Sequence, residues 1–171
     1  DGLALLDANP QAAEAFRFAN RAMWQQHVRT LYTRDVRQGQ PADLAALDVP
    51  ANRTWYPFQL AFILINLPGL TDPLHPDRGE SSQAIADLLW FPTGGGKTEA
   101  YLGLTAYTLG IRRLQGVVGG YSGLAGIAVI MRYTLRLLTL QQFQRATSLI
   151  CACESIRRDD PAAFDDGRTL G

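Results

Sequence analysis

The string FPTGGGKT at residues 91–98 concentrates the residue types that hold a triphosphate. Thr93 leads into three consecutive glycines, Gly94, Gly95 and Gly96, which let the backbone curl until its N–H groups point inward around an anion. A helix opened by such a loop adds its unpaired N-terminal amides and its dipole to phosphate binding. Lys97 brings a positive charge to the β- and γ-phosphates, and Thr98 a hydroxyl for a Mg2+ ion. Lys97 is therefore the candidate catalytic residue and Thr98 the candidate metal ligand. Glu99 has two readings, as a cap on the following helix or as a neighbour of the Mg2+ shell. The strict pattern G-x-x-x-x-G-K-[ST] is missed by one residue, because Phe91 stands where its first glycine belongs.

A loop of this kind needs a strand before it and a helix after it. Residues 86–91 form a short apolar run between turn signals and read as a buried strand. A helix is expected over 97–113, with Ala100, Leu102, Leu104, Ala106, Leu109 and Ile111 nearly all round it, so it should be well buried. The glycine-rich stretch 116–126 reads as a flexible connection to a second strand at 126–131. A helix over 135–156 follows. Its apolar face carries Leu140, Phe143, Ala146, Ile150 and Cys153, opposite Gln141, Gln144, Arg145 and Ser148. The order strand, loop, helix, strand, helix predicts an α/β fold, a βαβ unit with a parallel sheet.

Upstream, Asn9 as N-cap and Pro10 at the first helical position open a helix expected over 11–32. Gly39 and Pro41 break it, and a short helical stretch at 42–47 ends before Pro50. Residues 55–67 read as an apolar helix opened by Pro57, and 68–82 as a surface loop. The organisation expected is an N-terminal helical segment over 1–50, a second unit over 51–158 and a polar tail over 159–171. With Asp1 at the start and that tail at the end, the chain reads as cut from a longer protein.

A formal net charge of zero over 171 residues removes a strongly basic domain as an argument for nucleic-acid binding, but leaves room for a local basic groove. Cys151 and Cys153 imply no disulfide framework. Two apart on a helix, they diverge by about 200°, and with no other cysteine they make no zinc site; both read as buried or half-buried thiols. His27 and His75 receive no role, and Trp24, Trp55 and Trp90 read as core packing rather than stacking platforms. No signal peptide is visible, and the apolar window 60–67 is too short to span a bilayer. The expectation is a cytoplasmic protein with no membrane partner.

Residues 92–98 resemble motif I of helicase superfamily 2, in whose Pro-Thr-Gly form the first position is commonly not glycine. PFQLA at 57–61 resembles the Q-motif of that superfamily. There a Gln reads the adenine edge through an amide that both donates and accepts; Gln59 is the candidate, with Phe58 or Tyr56 packing beside it. MRYTLR at 131–136, followed by Gln141 and Gln142, resembles motif Ia, which contacts the nucleic-acid backbone. Arg132, Thr134 and Arg136 are its candidates, since such groups beside a helix N-terminus bind phosphate oxygens without reading sequence. More narrowly, the strings at 16–23, 89–104, 131–145 and 151–154 are similar to the helicase-subunit family of the bacterial DISARM anti-phage defence system.

The resemblance implies a P-loop NTPase with a RecA-like parallel sheet flanked by helices. That sheet would be incomplete here, with 51–158 as part of the first RecA-like domain. It further implies ATP and Mg2+ as cofactors, DNA as a partner, ATP-driven helicase or translocase activity, and a partner subunit of the same system. No Asp-Glu-x-Asp/His motif ends an apolar strand in this sequence, and no second RecA-like domain supplies an arginine finger. Positioning of the transition state is then incomplete, and the chain alone is expected to bind nucleotide weakly without turning it over. The alternative is a non-enzymatic, ATP-loaded clamp or scaffold that binds DNA or a partner subunit.

Overall fold

Helix starts in this chain are set by identifiable caps, and the computed structural model, which describes residues 2–79, 82, 84–92, 94–132 and 136–159, shows them in use. A first helix, α1 (Gly2–Ala8), leads into α2 (Pro10–Arg37). Asn9 caps α2 by accepting the Ala12 N–H at 3.0 Å, with Pro10 in the first turn. The helix runs beyond the expected end and stops just before Gly39, whose positive φ a side chain would resist. Asp43 caps α3 (Leu44–Leu47) through the Ala45 N–H. A 3₁₀ turn at Pro50–Arg53 leads to α4 (Pro57–Thr71). That helix continues through Pro68, which has no N–H to give the Leu64 carbonyl. A second 3₁₀ turn (Pro76–Arg78) follows, then α5 (Lys97–Gln115) and α6 (Arg136–Asp159).

Helix α5 is the centre of the core, as its apolar residues on every side require. Ala100, Leu102, Ala106, Tyr107 and Ile111 are all buried. Helix α2 contributes Ala12, Ala15, Ala19 and Ala22, a stripe of small side chains at helical spacing, together with Phe18. Small residues let the two backbones approach closely: a Cβ on Gly110 of α5 would lie 2.9 Å from the Phe18 ring and 3.5 Å from the Ala15 Cα. Helix α4 adds Ile63 and Leu67, and α6 adds Leu149, Cys153 and Ile156. Helices α4 and α5 are also joined by a buried hydrogen bond of 2.6 Å between the Thr71 and Tyr107 hydroxyls.

Among the described residues the expected parallel sheet is absent, and they are mostly helical rather than α/β. Among the described residues the only sheet is an antiparallel hairpin inside the stretch expected to be a plain connection. In it β1 (Val117–Val118) pairs with β2 (Tyr121–Ser122) around Gly119 and Gly120. Residues 86–91 and 126–131 form no strand, and Gly126 takes a left-handed φ of +89°. Local apolar patterning favours an extended backbone, but a parallel ladder also needs a hydrogen-bonding neighbour and helices on both faces. Here α2, α4 and α6 pack directly on α5, and of the two runs Met131 alone among the described residues packs against that core. Leu88 and Ile130 are each 83% exposed and Trp90 is 86% exposed, so Trp90 is not core packing.

Two further expectations are corrected. The buried stripe of α6 is Leu149, Ala152, Cys153 and Ile156, while Leu140, Phe143 and Ile150 face solvent. Cys151 is exposed, because the same stripe turns its neighbour Cys153 inward. No helix among the described residues is long and apolar enough to cross a membrane.

Candidate functional site

The glycine loop stands at the N-terminus of the 19-residue helix α5. Gly94 and Gly96 have φ of +85° and +89°, left-handed values that residues with a Cβ avoid. Gly96 is the N-cap of α5, and the Gly95 N–H closes the turn on the Pro92 carbonyl at 3.1 Å. The Lys97 ammonium is folded back into this loop, donating to the carbonyls of Phe91 and of Pro92, the latter at 3.0 Å. Those acceptors are neutral. Phosphate oxygens carry charge and would take the same donors in stronger, charge-assisted bonds.

Gln59 sits in the first turn of α4 and is only 3% exposed. Its Oε1 accepts the Tyr56 N–H at 2.8 Å, and its Nε2 donates to the Gly96 carbonyl at 2.7 Å. Both ends of the amide are thus engaged within the protein, and the start of α4 is tied to the glycine at the head of α5. The fit is tight, since a Cβ on Gly96 would fall 2.7 Å from Gln59 Nε2. Phe58 stacks on Phe91 with ring centroids 3.8 Å apart and planes 12° from parallel. Tyr56 lies parallel to Phe58 at 6.1 Å. Phe91, the residue that breaks the strict loop pattern, is therefore the one that stacks against the Gln59 segment.

Beside the loop opens a cavity of about 770 Å³, lined by Gln59, Gly94, Gly95 and Gly96 and by the aromatic rings of Trp24, Trp55, Tyr56, Phe58 and Phe91. Its far wall is braced by polar bonds. The Trp24 indole donates to Asp48 at 2.6 Å, the Arg53 guanidinium lies 4.3 Å over the Trp24 ring, and the Trp55 indole donates to Asn20 at 2.7 Å. Trp55 packs against the helical core, as expected, and also walls this pocket, whereas Trp24 is a half-buried wall of it. The dense aromatic stretch Trp55, Tyr56, Phe58 was the available signal, but the contribution of α2 is long-range and leaves no local trace.

The other expected site residues are spread out. Thr98 is half-buried in the first turn of α5. Glu99 forms an ion pair with Arg145 of α6, both half-buried, so its carboxylate links two helices. Arg132 is exposed and lines a different cavity. Thr93 and Thr134 lie outside the described residues, as does the side chain of Arg136. Two titrating groups are displaced, both in the core. Burial raises the Tyr107 phenol, partly offset by its bond to Thr71, and pushes the Cys153 thiol up to about 12.

No protein-family model matches the chain. Over 160 residues, 92% of its length, the chain is 46% identical to the DISARM protein DrmA of Bacillus paralicheniformis. It spans 14% of that protein's length. A glycine loop at a helix N-terminus, a buried glutamine locked to it and an aromatic pocket beside it thus occur in a chain that resembles one short stretch of a DISARM protein.

Proposed function

We propose that this chain carries the ATP-binding loop of a DISARM-type anti-phage defence protein. The observation that carries the reading is the bond from Gln59 Nε2 to the Gly96 carbonyl. It fixes the wall of an aromatic pocket against a glycine loop that opens a long helix, the pairing of base pocket and phosphate cradle that a nucleotide requires. In this reading Lys97 leaves the Phe91 and Pro92 carbonyls for the β- and γ-phosphates. Gly94, Gly95 and Gly96, with Thr93, line the phosphate loop, and Phe58 and Gln59 form the wall beside the base. Gln59 positions the loop as well as bounding the pocket. Thr98 supplies a hydroxyl to Mg2+, which brings charge neutralisation at the phosphates.

Among the described residues no group of three or more His, Cys, Asp or Glu could hold a metal ion by itself. The Mg2+ assigned here therefore travels with the nucleotide. The whole protein would use ATP to move on DNA, with Arg132, Thr134 and Arg136 touching its backbone and a subunit of the same system as partner. The Glu99–Arg145 pair supports a coupling between the two regions, since it joins the first turn of α5 to the helix that follows Arg132. This chain has no Asp-Glu-x-Asp/His motif after an apolar run, so it is assigned binding without turnover. The second reading is a clamp that holds ATP and never hydrolyses it, and the same loop and pocket serve both.

Calorimetric titration of the chain with ATP and Mg2+ tests the first reading. Binding that disappears in Lys97→Ala, with an unchanged thermal melt, is the expected result. Failure of the wild-type chain to bind ATP would overturn it. Hydrolysis by the whole protein that rises with DNA selects the motor, and tight binding without hydrolysis selects the clamp.

A further inference from the structure

A second cavity, of about 810 Å³, runs along α5 between Tyr101 and Gln115. Its other walls come from the end of α4 and the segment after it, the β1–β2 hairpin and residues 128–132. Three arginines line it: Arg78, Arg112 and Arg132. Among the described residues not one Asp or Glu does so. Acids and bases balance at 16 each over the chain, so a cavity of one sign is a local concentration of charge that the composition does not predict.

Two of these guanidiniums are held in place by backbone carbonyls, and among the described residues neither pairs with a carboxylate. Arg78 donates to the Gly69 carbonyl at 2.9 Å, and Arg112 to the Ser122 carbonyl at 3.0 Å. A guanidinium has five N–H donors in a fixed fork, so one such bond orients the plane and leaves donors for an anion. Two aromatic rings share the cavity. Tyr101 is held edge-on by Phe62 at 5.8 Å, and Tyr121 stands on the hairpin 60% exposed. Oriented guanidiniums beside available aromatic faces suit a ligand with phosphates and flat bases.

We propose that this cavity binds the phosphodiester backbone of a single-stranded nucleic acid, with Arg78 and Arg112 as contacts beyond Arg132 and with Tyr121 as a stacking surface. The proposal deepens the DNA reading above and rests on it for the nature of the ligand. It adds residues from two segments that carry no motif, and it moves the grip from a single run after residue 130 to a walled channel along α5.

Fluorescence anisotropy of a labelled oligothymidylate of about 12 nucleotides, a length within the usual site sizes, tests this on the full chain across a salt series. The variants are Arg78→Gln, Arg112→Gln, the two together, Arg132→Gln and Tyr121→Ala, with Arg29→Gln as the control. Glutamine retains a donor for the Gly69 and Ser122 carbonyls, and thermal melts check folding. Should the arginine variants unfold, Tyr121→Ala stands in for them, since its side chain is mostly in solvent. Each single cavity variant should weaken binding several-fold regardless of base composition, and the control should not. Loss of two phosphate contacts should lower the slope of log K against log salt by about 1.4. Wild-type affinity and slope in the double variant, with Arg132→Gln weakened, would sink the cavity and spare the DNA reading. No oligonucleotide binding by the wild-type chain at low salt would sink both, leaving the ATP reading to its own titration. Displacement of the strand by equimolar inorganic phosphate would make this a free-phosphate site and overturn the strand assignment.

Discussion

At the scale of single residues, Gln59 carries the most weight for its size. The sequence offers it as a reader of an adenine edge, but its amide has both ends committed, to the Tyr56 N–H and the Gly96 carbonyl. Removing the amide strands two polar groups beside a buried position, which costs about 1–3 kcal/mol for each group left unsatisfied. Gln59→Ala is therefore expected to lower the urea midpoint and to weaken ATP binding together. If stability is unchanged, the link between α4 and the loop does not exist in solution. Cys153 makes a pH prediction. Burial holds its thiol neutral up to about 12, against an ordinary 9.0. Its contribution is complete below the unfolded value and is lost as pH rises through the interval between the two, where the unfolded chain has released a proton that the folded chain retains. The decline is on the order of 1.4 kcal/mol per pH unit at most, with Tyr107 adding in the same direction at higher pH. Urea midpoints for wild type should fall above pH 9, and those of Cys153→Ala should fall less steeply; parallel curves would show that the thiol titrates normally.

At the scale of elements, what could be read from the sequence was what neighbours in the chain decide. Asn9 with Pro10, Pro57 and Gly96 mark helix starts through their own backbone preferences, and α2, α4 and α5 begin where those residues place them. The runs at 86–91 and 126–131, whose pattern implies strands, form none, and Gly126 takes a left-handed φ. Their pairing was not legible, because a ladder is a relation between distant segments and apolar patterning says nothing about whether a neighbour is present. The glycine loop was legible for the same reason as the caps, being contiguous. Trp24, Arg78 and Arg112 were not, since tertiary packing alone brings them to their cavities. The contact between α2 and α5 gives this scale its prediction. Gly110 meets Phe18 and Ala15 with no room for a branched side chain. Gly110→Val should cost about 1–3 kcal/mol through overpacking, despite the helix propensity gained over glycine. A chemical-denaturation curve with an unchanged midpoint would mean that the two helices separate easily, contrary to a core centred on α5.

At the scale of the whole molecule, the apolar side chains divide unequally between a helical core and an exposed set. Ala12, Phe18, Leu67, Leu102, Ile111 and Leu149 fill the core, whereas Leu88, Trp90, Ile127, Ile130, Leu140 and Phe143 face solvent. Isolated exposed apolar residues are ordinary, but here four of the six stand on two segments that form no helix or strand. An apolar segment whose backbone has no ladder partner is a template for association with another chain. A formal net charge of zero supplies little repulsion to oppose it. The chain should therefore self-associate as concentration rises, and charges on these segments should prevent it without touching the core. Leu88→Lys with Ile130→Lys places one cation on each run, at side chains that are 83% exposed in both cases, so the thermal melt should be unaffected. Sedimentation velocity over a concentration series separates the outcomes. Oligomers in the wild type and a monomer in the double lysine variant would locate the association on these runs. If both chains sediment alike as oligomers, the adhesive surface is the exposed face of α6, and Phe143→Lys becomes the substitution that disperses them.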